Sequence, residues 1–166
     1  MQPDELCRAY RKRPLYLPES SHRRDDGIAV IEKLIPHRSP FLFVDRITAV
    51  DLEGGNIAGQ HYVDPKDPIY RGHFPGEPIL PGALQVEAIG QLGLCLYAQQ
   101  RSLAAGVRAL KIHHAAFLDA IRPGTTITLL AKSLSSDDYT GICAGQVLAG
   151  PTICCVAVME VYFVEG

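Results

Sequence analysis

Apolar positions follow two different rhythms along the chain. From Ala83 to about Leu103 no proline interrupts, and between Ala83 and Ala98 the strongly polar residues are only Gln85, Glu87 and Gln91. A segment apolar nearly all round predicts a long helix buried on most of its faces. Gly90 and Gly93 each cost such a helix about 1 kcal/mol relative to alanine, which suits places where another element packs close to the backbone. After Gly106 the pattern changes to four β-prone runs, "VRALKIHHAAFLDAI", "TTITLLAKSLSS", "YTGICAGQVLAG" and "TICCVAVMEVYFVEG", separated by "RPG", "SDD" and "GP". Consecutive strands with short links predict an antiparallel meander. Upstream, Gly27–Ile35 reads as a short helix with Asp25 or Asp26 as its cap, Ile28, Ile31, Leu34 and Ile35 on one face, and Pro36 ending it. "PFLFVDRITAVD" and "NIAGQHYVD" flank the turn signal "EGG" and predict a hairpin. Between Asp64 and Gly82, five prolines and three glycines predict a shaped loop. The economical arrangement is an α+β domain with the long helix wrapped by a curved antiparallel sheet. Its open edge invites a second subunit.

The length of 166 residues fits one domain with a proper core. Residues 1–25, with "RAYRKRP" and "PESSHRRDD", have weak apolar periodicity and read as an extension that is partly flexible or lies along the surface, leaving 26–166 as the single domain. A formal net charge of −2 leaves no basic footprint for nucleic acid. No apolar run reaches the roughly 18–20 residues of a membrane span, and the N-terminus has no secretory h-region, so a cytoplasmic protein is expected. Cys7, Cys95, Cys143, Cys154 and Cys155 form no C-x-x-C pair and read as reduced, buried thiols.

The candidate chemistry lies in "RGHFPGEPILPGALQVEAIGQ", Arg71 to Gln91. A carboxylate in an apolar helix needs a partner, and Gln91, four residues after Glu87, shares its helical face. Glu87 falls about five residues into the helix, roughly 8 Å along its axis, near the loop that carries His73. The helix start offers unpaired backbone N–H groups and partial positive charge, which suit a carbonyl oxygen gaining negative charge. Gly76 and Gly82 would let a substrate approach that backbone closely. A general base, an acid and an oxyanion site on one stretch are the parts for proton abstraction beside a carbonyl. "HFPGEP" has no phosphate-loop pattern. His37 in "PHRSPF" reads as structural, His113 and His114 face opposite sides of a strand, and His22 and His61 carry no supporting pattern.

These residues resemble a known family. "HFPGEPILPGALQVEAIGQ" closely resembles the signature of the (3R)-hydroxyacyl-acyl-carrier-protein dehydratases of fatty acid synthesis, FabZ type. "LIPHRSPFLFVDRI" resembles the family's N-terminal motif and "KIHHAAFLDAIRPGTTITL" its post-helix strand, so three motifs in order cover roughly residues 28–166. The resemblance implies a hotdog fold, which agrees with the element order. It implies a homodimer, often a trimer of dimers, with His73 and Glu87 as the catalytic pair formed across the dimer and Gln91 supporting. It implies dehydration of a 3-hydroxyacyl thioester to the trans-2-enoyl thioester, with no cofactor or metal, and a carrier-protein or coenzyme A thioester as substrate. The sister branch that also isomerises has Asp where this chain has Glu87, which favours dehydration alone. Backbone N–H groups at Gly76 and Gly82 are the implied oxyanion donors. Phe74, Ile79, Leu80 and Ile89 are candidates for the acyl tunnel.

The chain departs from the family where it carries Ala116, Leu118 and Asp119 around Phe117, at positions where basic residues usually help dock the carrier. Arg101, Arg108, Lys111 and Arg122 are the nearby cations that could compensate. Two other readings share the fold: an acyl-thioester hydrolase, which releases free thiol, and a non-catalytic acyl-binding subunit.

Overall fold

The computed structural model describes residues 2–20, 22–101 and 106–164. Among the described residues, the α-helices are α1 (Pro3–Ala9), α2 (Ile28–Leu34) and α3 (Gly82–Arg101). Seven strands are β1 (His22–Asp26), β2 (Arg46–Asp51), β3 (Asn56–Tyr62), β4 (Val107–Phe117), β5 (Thr126–Ser136), β6 (Thr140–Ala149) and β7 (Thr152–Phe163). They form one sheet in the order β1-β2-β3-β5-β6-β7-β4, with every neighbour antiparallel. The expected end of the long helix near Leu103 lies outside the described residues.

Helix α3 lies against the inner face of the sheet. Ile89, Leu92, Cys95 and Leu96 are fully buried there beside Ile57, Ile127, Leu129 and Ala157. Close approach depends on glycine in the facing strands. A Cβ on Gly145 of β6 would lie 2.8 Å from the Leu130 carbonyl oxygen and would run into the Ile89 side chain.

The four late strands are not a simple meander. β5, β6 and β7 follow one another, but β4 pairs with β7 and takes the edge. After Phe117 the chain crosses the start of α3, where Leu80 N–H donates to the Ile121 carbonyl (2.8 Å), and then joins β3 through β5. The strand β1, "HRRDD", has a polar sequence that carries no strand pattern. It pairs with β2 at the opposite edge, and Arg46 reaches Asp25 across the pair. The N-cap of α2 is Gly27 rather than an aspartate, because Asp26 ends β1.

The N-terminal residues cross the outer face of the sheet. Leu6, Cys7 and Leu15 are buried against Ala144, Val156 and Val158. Gln146, fully buried on β6, fixes this strap with three hydrogen bonds: its Oε1 accepts from Leu15 N–H (2.6 Å), and its Nε2 donates to the carbonyls of Tyr10 (2.7 Å) and Arg13 (3.0 Å). Asp4 of α1 also meets His114 of β4 at 2.6 Å.

All five cysteines are free and buried. Burial pushes the thiols of Cys95, Cys143 and Cys155 up to about 12 and that of Cys7 up to about 11, and it raises Cys154 as well.

Two outcomes follow from this packing. Gly145→Ala should destabilise the protein by roughly 2–3 kcal/mol, through overpacking against a backbone oxygen that cannot yield; chemical denaturation measures it, and a wild-type midpoint would contradict the close approach. The thiols hold their protons more tightly folded than unfolded. Their contribution is therefore complete below the ordinary thiol value of 9.0 and is lost as pH rises toward about 12. Melting temperature should fall between pH 9 and 11, and a thiol reagent at pH 8 should label the native protein slowly and all five cysteines after unfolding.

Candidate active site

The loop from Gly72 to Leu80 closes on His73. The His73 carbonyl accepts from Ile79 N–H (3.2 Å), and the His73 Nδ1 lies 3.0 Å from the Ile79 carbonyl oxygen. A carbonyl only accepts, so Nδ1 carries the proton and donates it. The Nε2 lone pair of the neutral ring is therefore left free. The ring stacks on Phe74 with centroids 4.0 Å apart. Phe74 N–H donates to the Glu77 carbonyl and Glu77 N–H returns a bond to the Phe74 carbonyl, which folds the "FPGE" turn; Gly76 sits in it at φ +79, a left-handed conformation that favours glycine.

Gly82 opens α3 directly beside this loop. A Cβ there would lie 2.7 Å from the Phe117 ring, so glycine lets the β4 aromatic lie against the helix start. The backbone N–H groups of Gly82 and Ala83 make no hydrogen bond among the described residues, as the first donors of a helix do not. His73, Phe74, Ile79, Leu80, Gly82, Gln85 and Phe117 border a cleft of about 560 Å³. Gly76 borders the neighbouring cleft, with Phe74, Arg71 and Pro123. Ile89 instead lies in the core beneath Gly145, with no exposed surface.

Glu87 borders a second cleft of about 490 Å³ with His37, Val86, Gly90, Leu94, Phe117 and Met159 among its walls. Its side chain is one-third exposed. Gln91 Nε2 donates to Glu87 Oε1 (2.8 Å) and to the Phe41 carbonyl (3.1 Å), while Gln91 Oε1 accepts from Phe43 N–H (2.8 Å). Gln91 itself has no exposed surface. A buried amide with both ends satisfied is a strong positional constraint, because losing any partner would strand a polar atom away from water. His37, read from sequence as structural, brings its Nε2 to 3.4 Å from Glu87 Oε1. Ala83 and Phe117 line both clefts, so within one chain they stand between His73 and Glu87, and no contact joins the two.

Other histidines have their own partners. His61 Nδ1 lies 3.1 Å from Asp45 Oδ1 and His113 Nε2 lies 2.9 Å from Glu160. Burial alone would raise the Asp45 carboxyl, but hydrogen bonds from His61 and Tyr62 N–H outweigh it and hold the carboxyl below its usual range. No group of three or more His, Cys, Asp or Glu among the described residues is arranged to hold a metal ion.

Of the cations near the clefts, Arg122 pairs with Glu77 at 3.5 Å, and Arg101 lies over the Phe163 ring and donates to the Asp137 carbonyl. Arg108 and Lys111 border the Glu87 cleft. No helix among the described residues is long and apolar enough to cross a membrane.

A model of the FabA-like domain family matches residues 35–156. The 3-hydroxyacyl-[acyl-carrier-protein] dehydratase FabZ of Chlamydia trachomatis serovar D is 36% identical over 143 residues, covering 83% of this chain and 91% of that protein. The FabZ of Xanthomonas oryzae pv. oryzae strain PXO99A is 33% identical over 139 residues, covering 78% and 91%. Among solved structures, the dehydratase heterocomplex ApeI:P from Xenorhabdus doucetiae aligns with a TM-score of 0.65 at 17% identity over 90% of this chain and 93% of that one. A thioesterase-like phenylacetic acid degradation-related protein from Ralstonia eutropha aligns at 0.58 and 15% identity over 82% and 91%. The last two share the fold, whereas the curated relatives carry the lineage: this chain belongs to the FabZ-type family of hotdog-fold dehydratases.

Proposed function

We propose that the protein dehydrates a (3R)-3-hydroxyacyl thioester to the trans-2-enoyl thioester. The observation that carries this reading is the orientation of His73. Its Nδ1–H is committed to the Ile79 carbonyl, which leaves a basic Nε2 on the loop that leads into the start of α3. The thioester carbonyl accepts from free N–H groups at that helix start, with Gly82 and the Gly76 turn as donors, and the partial positive charge there stabilises the oxygen as it gains negative charge. His73 Nε2 takes the C2 proton. The C2–H electrons become the C2=C3 double bond, the C3–O bond breaks with its electrons going to oxygen, and Glu87 gives that oxygen a proton so that it leaves as water. His73 ends protonated and Glu87 ionised, and exchange with solvent restores both.

The two groups border separate clefts in one chain, so the complete site takes His73 from one copy and Glu87 from another. A second copy pairs along β4, an eleven-residue edge strand on which Leu110, Ile112 and Phe117 are each more than half exposed. Such an edge with apolar side chains favours pairing over solvation. The apolar walls of the Glu87 cleft, Val86, Leu94 and Met159, suit the acyl tail. Phe74, Ile79 and Leu80 suit the thioester end. The carrier is an acyl carrier protein, as the names of the FabZ relatives state for them. Further assembly as a trimer of dimers fits the same reading.

The test is turnover of a 3-hydroxyacyl thioester, followed both by enoyl absorbance and by release of thiol. Enoyl product without thiol is expected, and thiol without enoyl product would establish a hydrolase instead. His73→Ala and Glu87→Gln should each lower kcat by at least about 100-fold with the fold retained, the scale of a lost acid or base. Mixing the two inactive variants should restore activity in heterodimers that carry one intact His73–Glu87 pair. A wild-type protein that forms neither enoyl product nor thiol, with a biological function that both variants retain, would establish a non-catalytic acyl-binding protein.

A further inference from the structure

The segment between α2 and β2 is clamped at two points. Arg38 folds back on the end of α2 and donates to the carbonyls of Glu32 (2.9 Å), Ile35 (2.9 Å) and His37 (2.7 Å). These include carbonyls that a helix C-terminus leaves without partners. Gln91 holds the other end through Phe41 and Phe43. Between the clamps, the His37 ring is set over Glu87 with Nε2 at 3.4 Å from Oε1, and only about a fifth of its side chain is exposed.

The two ring nitrogens have unequal surroundings. Nδ1 is buried and makes no hydrogen bond among the described residues. A neutral imidazole carries one proton, and with a carboxylate facing Nε2 and no acceptor at Nδ1, the proton belongs on Nε2. Glu87 Oε1 is thus faced by two N–H donors, from Gln91 and from His37, while Oε2 meets no donor among the described residues. A carboxyl group can be protonated on either oxygen. A proton on Oε1 would point into two other N–H groups, so the acid form carries its proton on Oε2.

We propose that His37 is a positioning residue for Glu87: together with Gln91 it occupies Oε1, so that the proton for the departing 3-hydroxyl is held on and delivered from Oε2. The assignment rests on the dehydratase reading. Glu87 is partly exposed and would otherwise rotate among several rotamers. Tethering one oxygen fixes the direction of the other, and the same two donors receive the negative charge left on the carboxylate when the proton departs. The 3.4 Å separation is long for a hydrogen bond, as such contacts often are before substrate binds.

Three variants separate positioning from packing. His37→Gln can place its Nε2–H where the imidazole Nε2–H stands, His37→Asn is one methylene too short, and His37→Phe fills the volume with no donor. On a small 3-hydroxyacyl thioester assayed for enoyl product, Asn and Phe should lower kcat by roughly 10- to 100-fold with KM changed by less than about 2-fold, while Gln should stay within about 3-fold of wild type. Thermal melts of all three identify any loss that is one of folding, and the comparison of Gln with Asn stands even if the Phe variant fails to fold. Equal rates for Gln and Asn, or a loss that appears in KM with kcat intact, would overturn the assignment. A wild-type protein that yields no enoyl product would overturn the dehydratase reading itself, and the assignment with it.

Discussion

Helix α3 has almost no face that water can occupy, and the architecture answers that constraint. A helix apolar on most sides must be covered on most sides, and a curved antiparallel sheet does this with one continuous surface. Gly145 brings β6 close enough for Ile89 to pack, and Gly59 does the same on β3, where a Cβ would meet the Arg46 carbonyl at 2.8 Å and Leu92 at 2.9 Å. Polar groups on such a helix are tolerated only with partners. Gln91 is fully buried and uses both ends of its amide. Glu87 lies one turn earlier, where the sheet leaves the helix uncovered and a cleft begins.

The same geometry explains how a proline-rich loop can hold a histidine in a defined tautomer. His73 is fixed by the main chain of its own loop: both its carbonyl and its Nδ1 bond to Ile79. No second carboxylate is needed to orient the ring. Glu87, by contrast, meets two side chains, Gln91 one turn along its own helix and His37 from the clamped segment after α2. His73 is held by contacts within its own loop, whereas Glu87 meets one local partner and one that only tertiary packing brings near.

That difference also decides what the sequence made legible. The helix, the hairpin and the Pro/Gly-rich loop follow from local pattern, and His73, Glu87 and Gln91 stand out because their residue types conflict with their surroundings. β1 could not be read, because "HRRDD" lacks any alternation; it is a strand through backbone pairing with β2, and its charges suit an exposed edge. The place of β4 beside β7 was hidden because the link through Ile121 looks like any short connection until the start of α3 is known to lie in its path. The contact of His37 with Glu87 joins positions fifty residues apart, which no spacing rule reveals. A usable signal for the N-terminal strap was present in "ICCVAVM": a strand with six successive buried residues, Cys154 to Met159, must be covered on both faces. The helix covers one, and the N-terminal residues cover the other.

The bond from Leu15 N–H to Gln146 links the beginning of the chain to a residue 131 positions later. During synthesis the strap leaves the ribosome more than a hundred residues ahead of the groups that hold it. Leu6, Cys7 and Leu15 therefore emerge without the surface that finally covers them. The basic residues Arg8, Arg11, Lys12 and Arg13 are interleaved with them, and their mutual repulsion keeps a short apolar segment solvated while it waits. The strap is thus synthesised well before the surface that it covers, and it docks only once β6 and β7 exist.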